Sequence, residues 1–219
     1  IGEFAADDRD EEIAMWQRIM RASGRPLSIT VTQRHRDPEG WRDVMAGIDD
    51  AVAEGLEMRA QIAPRSIGAM YGLSLSQHAF YLHPSYQAIA DKPLEEKVAT
   101  MRDPEFKAQL LTESSEPMAG DGTSVPPIAD ALLAAVDFVA SKTFRLGENP
   151  DYEQTAETSV LQMAQDKGVS TLEMIYDLML ESDGKELLYF PIYNYTDMNY
   201  DNVYTMMQHP QSIMGLSDG

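Results

Sequence analysis

The chain has 219 residues, of which 43% are apolar, so it can bury a core in one domain or in two small ones. Its 36 acidic and 17 basic residues give a formal net charge of -19, which opposes binding to nucleic acid and to anionic membrane surfaces. The longest apolar runs fall far short of the roughly 20 residues that cross a bilayer. Because cysteine is absent, disulfides and thiolate metal sites are excluded, and a cytoplasmic protein is predicted.

The first third of the chain alternates helical and extended patterns. A helix is predicted over 8–22 and closed by Gly24, and the alternating apolar and polar residues of 27–32 predict a strand. The clearest helix ends at Gly55 and keeps a single apolar stripe formed by Trp41, Val44, Met45, Ile48, Ala51 and Val52. A second strand is predicted over 56–62. This order of elements indicates parallel βα units.

The section 63–146 is a long excursion with many turn signals, and an excursion of this length between strands usually carries function or covers a site. Its predicted helices span 94–101, 104–112 and 128–142. The remaining predicted elements are a strand at 143–146, helices at 155–167 and 171–180, a strand at 187–190, a helix at 198–208 and a strand at 212–216. Ser170 and Glu173 form a capping box before the helix at 171–180, and Pro191 is predicted to end the strand before it.

Asp218 lies just after the carboxyl end of the last predicted strand. In (β/α)8 barrels the catalytic groups lie at the carboxyl ends of the strands, so Asp218 is a candidate general acid or base. The alternative is an ordinary turn, since Ser217, Asp218 and Gly219 are typical turn residues.

Several short motifs follow one another in a fixed order along nearly the whole chain. They are Gln61-Ile62-Ala63-Pro64-Arg65-Ser66 with Gly72-Leu73, then Asp103-Pro104-Glu105, then Tyr189-Phe190-Pro191 through Asn194-Tyr195, then His209-Pro210 and Gly215-Leu216-Ser217-Asp218-Gly219. In order and spacing the chain resembles the D-aminoacylase branch of the amidohydrolase superfamily, the N-acyl-D-amino-acid deacylases. The closing block, with His-Pro before a strand and Ser-Asp-Gly after it, is the most specific part of this resemblance.

The resemblance implies an α/β fold that is part of a TIM-like (β/α)8 barrel, with strands six to eight and a long helical insertion. Residues 1–219 would then form a single domain that is a fragment of a larger barrel, and 63–146 would be the insertion after a barrel strand. The strands at 27–32 and 56–62 would be strands six and seven. The implied function is that of the C-terminal part of a metal-dependent hydrolase acting on the amide bond of N-acyl-D-amino acids, inactive as an isolated chain.

In the family, zinc or another divalent metal polarises the substrate carbonyl, and the resemblance implies that Asp218 accepts a proton from metal-bound water and delivers it to the leaving nitrogen. Asp218 is also a candidate metal ligand, together with ligands outside this chain. The family's His-x-His pair and its strand-five histidine would lie upstream of Ile1, and this chain contains no His-x-His. No metal is therefore expected in this chain alone.

The strand-six His-x-Lys segment of the family would fall where this sequence has Val31 and Gln33, so that ligand is missing. His35 could replace it as a metal ligand only if the strand end bulges. The alternative is a solvated loop histidine.

Arg65 follows the second strand, where its guanidinium could pair with a substrate carboxylate; the alternative is a surface salt bridge. Arg59 is expected to pair with an acid on a helix. His78 and His83 are expected to serve loop packing, and His209 to cap the preceding helix through its last carbonyl groups.

Two functions remain open from the sequence. The first is the deacylase fragment, whose partner is a small N-acyl amino acid; the second is a non-catalytic acidic α/β module for protein–protein contact. Strands six and eight of a partial barrel would expose unpaired edges, so self-association through these edges is predicted.

Overall fold

The computed structural model describes residues 8–115 and 134–215, and it shows a mixed α/β protein. The main helices are α1 (Arg9–Ser23), α2 (Gly40–Ala53), α3 (Pro84–Gln87), α4 (Leu94–Met101), α5 (Pro104–Leu110), α6 (Val136–Ala140), α7 (Val160–Lys167), α8 (Thr171–Met179) and α9 (Asp201–Gln208), and short helical turns lie at Ala156–Thr158 and Glu181–Gly184. The strands are β1 (Leu27–Thr30), β2 (Met58–Ile62), β3 (Ile67–Tyr71), β4 (Phe144–Arg145), β5 (Leu188–Tyr193) and β6 (Ser212–Met214). Within these residues the strands form two small sheets and no closed barrel.

The chain divides into two compact units. Unit 1 contains Ile1–Gly68 and Pro191–Gly219, and unit 2 contains Ala69–Phe190. The chain leaves unit 1 inside β3 and returns to it inside β5. Across the part of the chain that the structure describes, no helix is long and apolar enough to cross a membrane.

Unit 1 is built on a parallel sheet with the strand order β1-β2-β6. Leu27 lies opposite Met58 and Ala60 lies opposite Ser212, so the strands run in the same direction and in chain order. One face of the sheet is covered by helices, because Met58, Ala60 and Ile62 share a core with the apolar stripe of α2 and with residues of α1 and α9. The stripe predicted from the sequence is therefore confirmed as the core face of α2.

The other face of this sheet is polar. Arg59 and Gln61 alternate with the buried residues of β2 and remain half-buried, and Ser28 of β1 is exposed. Gln61 Nε2 donates to Ser28 Oγ at 2.8 Å across the strands. Parallel sheets are normally covered on both faces, so an open polar face is unusual for this kind of sheet.

Unit 2 is mainly helical. Ser159 and Ser170 cap α7 and α8, because each hydroxyl accepts a main-chain N–H three residues later. Tyr176 of α8 is fully buried, and its hydroxyl donates to the carbonyl of Met101 at 2.6 Å. Strand β4 pairs antiparallel with β5, with Phe144 opposite Tyr189.

Three predicted boundaries are wrong for identifiable reasons. Strand β5, which lies between β3 and β4, continues through Pro191 to Tyr193; on the β4 side only Leu188 and Tyr189 are paired, so that side needs no N–H from the proline. Helix α9 begins at Asp201 rather than at 198, since Met198 has a left-handed φ of 55°. The strand β3 lies at the start of the section 63–146, at residues for which no strand was predicted.

Candidate functional site at the carboxyl ends of the parallel strands

The carboxyl ends of β1 and β2 lie side by side in unit 1, with Thr30 opposite Gln61. Ligands of open parallel sheets bind outside such ends, so the segments after β1 and β2 are the natural place for a site. They carry Gln33, His35 and Arg65, three of the positions singled out from the sequence. Asp218 lies outside the described residues; it follows the end of β6 at Met214 by four positions in the sequence.

Arg65 is exposed at the end of β2. Its Nη1, one of the two terminal nitrogens, donates to the main-chain oxygen of Ser66 at 3.0 Å. No carboxylate of residues 8–115 or 134–215 forms an ion pair with it, so the salt bridge considered from the sequence is absent among these residues. The guanidinium can therefore meet an external anion.

His35 is half-buried and is held through both ring nitrogens. Nε2 lies 2.7 Å from the carbonyl oxygen of Pro191, and Nδ1 lies 3.1 Å from Oγ1 of Thr196. Because a carbonyl oxygen only accepts, Nε2 carries the hydrogen, and Nδ1 then accepts from the threonine hydroxyl when the ring is neutral. A metal ion at either nitrogen would have to displace one of these bonds.

Gln33 is also committed to internal bonds. Its side chain is 1% exposed, Oε1 accepts the main-chain N–H of Thr196 at 3.2 Å, and Nε2 donates to Oδ2 of Asp197 at 2.7 Å. Asn202 donates to the same carboxylate oxygen at 2.9 Å. Gln33 is therefore a structural amide, and it fixes the segment after β5.

Asn194 joins the ends of both strands. It is fully buried, and its Oδ1 accepts the main-chain N–H of Gln33 at 2.9 Å, while Nδ2 lies 3.2 Å from the carbonyl oxygen of Ala63 and 3.3 Å from that of Arg65. Its φ of 64° is left-handed, a conformation that asparagine adopts more readily than most residues. Sequence reasoning noted Asn194 only as part of a motif, because nothing local reveals contacts with residues more than 120 positions away.

These residues do not by themselves form a metal centre. Among residues 8–115 and 134–215 there is no group of three or more histidines and acids that could hold a metal ion. His35 uses both ring nitrogens within the chain, and Val31 and Gln33 are buried after the end of β1. Of the candidate ligands, His35 would have to give up a hydrogen bond to hold a metal, and Asp218 lies outside the described residues.

Two other predicted contacts of unit 1 are corrected. Arg59 Nη1 donates to Gln211 Oε1 at 2.6 Å and to the carbonyl of Met58, and it forms no ion pair with a helix acid in the described part of the chain. The ring of His209 does not cap α9. Its Nε2 lies 3.1 Å from Oδ2 of Asp49 and its Nδ1 accepts the N–H of Gln211, so it joins α2 to the turn before β6.

In unit 2, His78 and His83 are buried, in agreement with a packing role. His78 is 1% exposed, its Nδ1 accepts the N–H of Phe80 at 3.2 Å, and its ring meets the ring of Tyr86 edge to face at 4.2 Å. Burial, followed by the charges of Lys97 and His83, lowers the pKa of His78 to about 3, so the ring is neutral at physiological pH.

The chain matches no family model, no curated protein and no solved structure.

Proposed function

We propose that the chain is the C-terminal part of a metal-dependent amidohydrolase barrel that hydrolyses the amide bond of N-acyl-D-amino acids. The observation that carries this proposal is the parallel sheet of unit 1, in which β1, β2 and β6 lie side by side in chain order. Strands six, seven and eight of a (β/α)8 barrel require this arrangement.

The open polar face of the same sheet supports the proposal. In a closed barrel the helices cover the outer face, and the other face becomes the interior. Here the helix-covered face is apolar, while Arg59, Gln61 and Ser28 line the opposite face. A parallel sheet that formed a complete domain by itself would be expected to carry helices over that second face as well.

In the proposed reaction, Asp218 accepts a proton from the attacking water while the water oxygen bonds to the amide carbon. It then gives the proton to the nitrogen as the C–N bond breaks, which yields an amine and a carboxylic acid, and the acid then loses its proton to solvent. Arg65 binds the α-carboxylate of the substrate, and its exposed guanidinium is suited to that contact.

The test is hydrolysis of paired N-acetyl-D- and N-acetyl-L-amino acids, with and without zinc, by this chain and by the full reading frame that contains it. Activity of the longer protein on D-substrates alone, abolished in Asp218→Asn, supports the proposal. Arg65→Gln should raise KM with little change in kcat, and Arg65→Lys should restore part of the binding. If the longer protein is inactive on every substrate, the acidic binding module becomes the better account.

The proposal also implies that the isolated chain self-associates. Strands β1 and β6 are the edges of the parallel sheet, and Ile213 and Met214 of β6 are 43% and 71% exposed. Exposed edges pair with other chains. Sedimentation velocity should show a dimer or larger species at micromolar concentration, and Met214→Lys should shift it toward monomer. A monomer at all concentrations contradicts this expectation.

A further inference from the structure

The polar face of the unit 1 sheet carries a single charge. Parallel pairing puts Ser28 of β1 beside Arg59 of β2, and both lie with Gln61 on the face opposite the helices. Of the residues that form strands β1, β2 and β6, Arg59 alone is charged. Because the residue is half-buried, this charge is not a freely solvated one.

The hydrogen bonds of Arg59 use only one end of its guanidinium. Both are made by Nη1, to Gln211 Oε1 at 2.6 Å and to the main-chain oxygen of Met58 at 2.9 Å. A guanidinium has five N–H groups, and Nη1 carries two of them. The edge formed by Nε and Nη2 is therefore not used by any residue in the described part of the chain. This edge presents two parallel N–H groups, the arrangement that binds both oxygens of one carboxylate.

The charge of Arg59 indicates what is missing from this face. Both of its acceptors are neutral, and no ion pair among residues 8–115 and 134–215 includes it. A charge that is withdrawn from water is normally paired, because its desolvation is costly when nothing compensates it. Parallel sheets are normally covered on both faces. The segment that covers this face is therefore expected to bring a carboxylate.

We infer that an aspartate or glutamate of the segment that covers the polar face forms a side-on, bidentate ion pair with Arg59. The inference rests on the proposed function, because that segment is then one of the other barrel strands of the parent protein. Arg59 lies three residues before Ile62, the last residue of β2, which is about 10 Å along the strand. The ion pair therefore belongs to the interior of the barrel and not to the catalytic end, where Arg65 lies.

The test compares one substitution in two proteins, this chain and the full reading frame that contains it. In the full protein Arg59→Met should lower the melting temperature by about 5 °C or more, because it leaves a carboxylate unpaired in the interior. In the isolated chain, where that carboxylate is absent, the same substitution should change the melting temperature by less than about 2 °C. Arg59→Lys is the matched control. It keeps the charge without the planar fork, so in the full protein it should melt between the wild type and Arg59→Met.

Charge exchange identifies the partner. Arg59→Glu should destabilise the full protein more than Arg59→Met does, and changing one inward-facing acid of the other strands to arginine should restore the melting temperature. The inference is overturned if Arg59→Met has the same effect in both proteins, if no acidic position restores Arg59→Glu, or if the reading frame adds no barrel strands.

The same experiment separates this inference from the proposed function. An inactive full protein in which one charge exchange restores stability contradicts the deacylase activity and supports the ion pair. An active full protein in which no exchange restores stability contradicts the ion pair alone.

Discussion

The two units bury different kinds of polar groups. In the described part of unit 1 the buried polar side chains are amides and a hydroxyl, those of Gln33, Asn194 and Ser66. In the described part of unit 2 they include His78, His83 and Glu186, which are acidic or basic. An amide keeps the same donors and acceptors at every pH, whereas a buried ionisable group needs one particular protonation state. Unit 2 should therefore be the more pH-dependent of the two units.

The two units can be followed separately. Both tryptophans, Trp16 and Trp41, lie in unit 1, so tryptophan fluorescence reports on that unit. Hydrogen exchange resolved by peptide reports on each unit by itself, because the free energy of opening is measured locally.

The largest effect is expected for Glu186→Ala in unit 2. The Glu186 carboxylate accepts from Arg145 Nε at 2.7 Å, from the N–H of Gly147 at 2.8 Å and from its neighbour Leu187 at 3.1 Å. All three donors lose their acceptor together, so unit 2 should lose about 4 kcal/mol of opening free energy. Glu186→Gln, which keeps the shape and one acceptor, should cost about half as much. Equal protection of unit 2 peptides in wild type and Glu186→Ala would disprove the role of this carboxylate.

Asn194→Ala should produce the corresponding loss in unit 1, of about 3 kcal/mol, because a buried N–H and two carbonyl oxygens lose their partners. Urea unfolding followed by tryptophan fluorescence measures it. Asn194→Gly tolerates the left-handed φ and isolates the loss of the side chain. If both variants unfold at the wild-type urea concentration, the amide does not hold the strand ends. The loss should be the same at pH 7 and pH 5.

Mild acid should weaken unit 2 through His78. Its pKa is lowered to about 3 by burial and by Lys97 and His83, while an unfolded histidine titrates near 6.5. Between these two pH values the unfolded chain therefore binds a proton that the folded unit does not bind. The contribution of the neutral His78 to the stability of unit 2 is fully present above about pH 6.5 and is lost as the pH falls toward 3. Between pH 7 and pH 5 the expected loss is about 2 kcal/mol.

Hydrogen exchange of unit 2 peptides at several pH values, corrected for the intrinsic rate, measures this loss. His78→Asn can keep the acceptor for the N–H of Phe80 without titrating, so it should flatten the profile in this range. Tryptophan fluorescence of unit 1 should not follow the same profile. A loss that persists in His78→Asn would assign the acid sensitivity to another group.

The smallest effect is expected at the surface of unit 2. Arg102 and Asp183 form an ion pair at 2.8 Å, and their side chains are 55% and 81% exposed. A double-mutant cycle with alanine should give a coupling of less than about 0.5 kcal/mol, which salt removes. A coupling as large as the effect of Glu186→Ala would show that the solvent exposure of a side chain does not decide how much its ion pair contributes to stability.

Local sequence signals account for much of the fold. The apolar stripe of α2 identified its core face, Gly24 ends α1 with a left-handed φ of 63°, and the hydroxyl of Ser170 caps α8 by accepting the N–H of Glu173, one of the two bonds of the predicted capping box. Each signal acts within a few residues, so it is complete in the sequence. The alternation of helices and strands likewise indicated parallel pairing, which β1, β2 and β6 have.

The site depended on contacts that the sequence does not contain locally. Gln33 and Asn194 are separated by 161 positions, and His35 meets Pro191 and Thr196 across similar distances. Nothing near Gln33 in the sequence distinguishes a buried structural amide from an exposed one. Nothing near Pro191 reveals that β4 pairs with only two residues of β5. The sequence by itself determined the core face of α2, the end of α1, the start of α8 and the parallel direction of the unit 1 sheet, because these follow from periodicity and neighbouring side chains. Only the tertiary structure decided which polar groups are buried and what they bind, because burial and hydrogen-bond partners are set by distant segments brought together by folding.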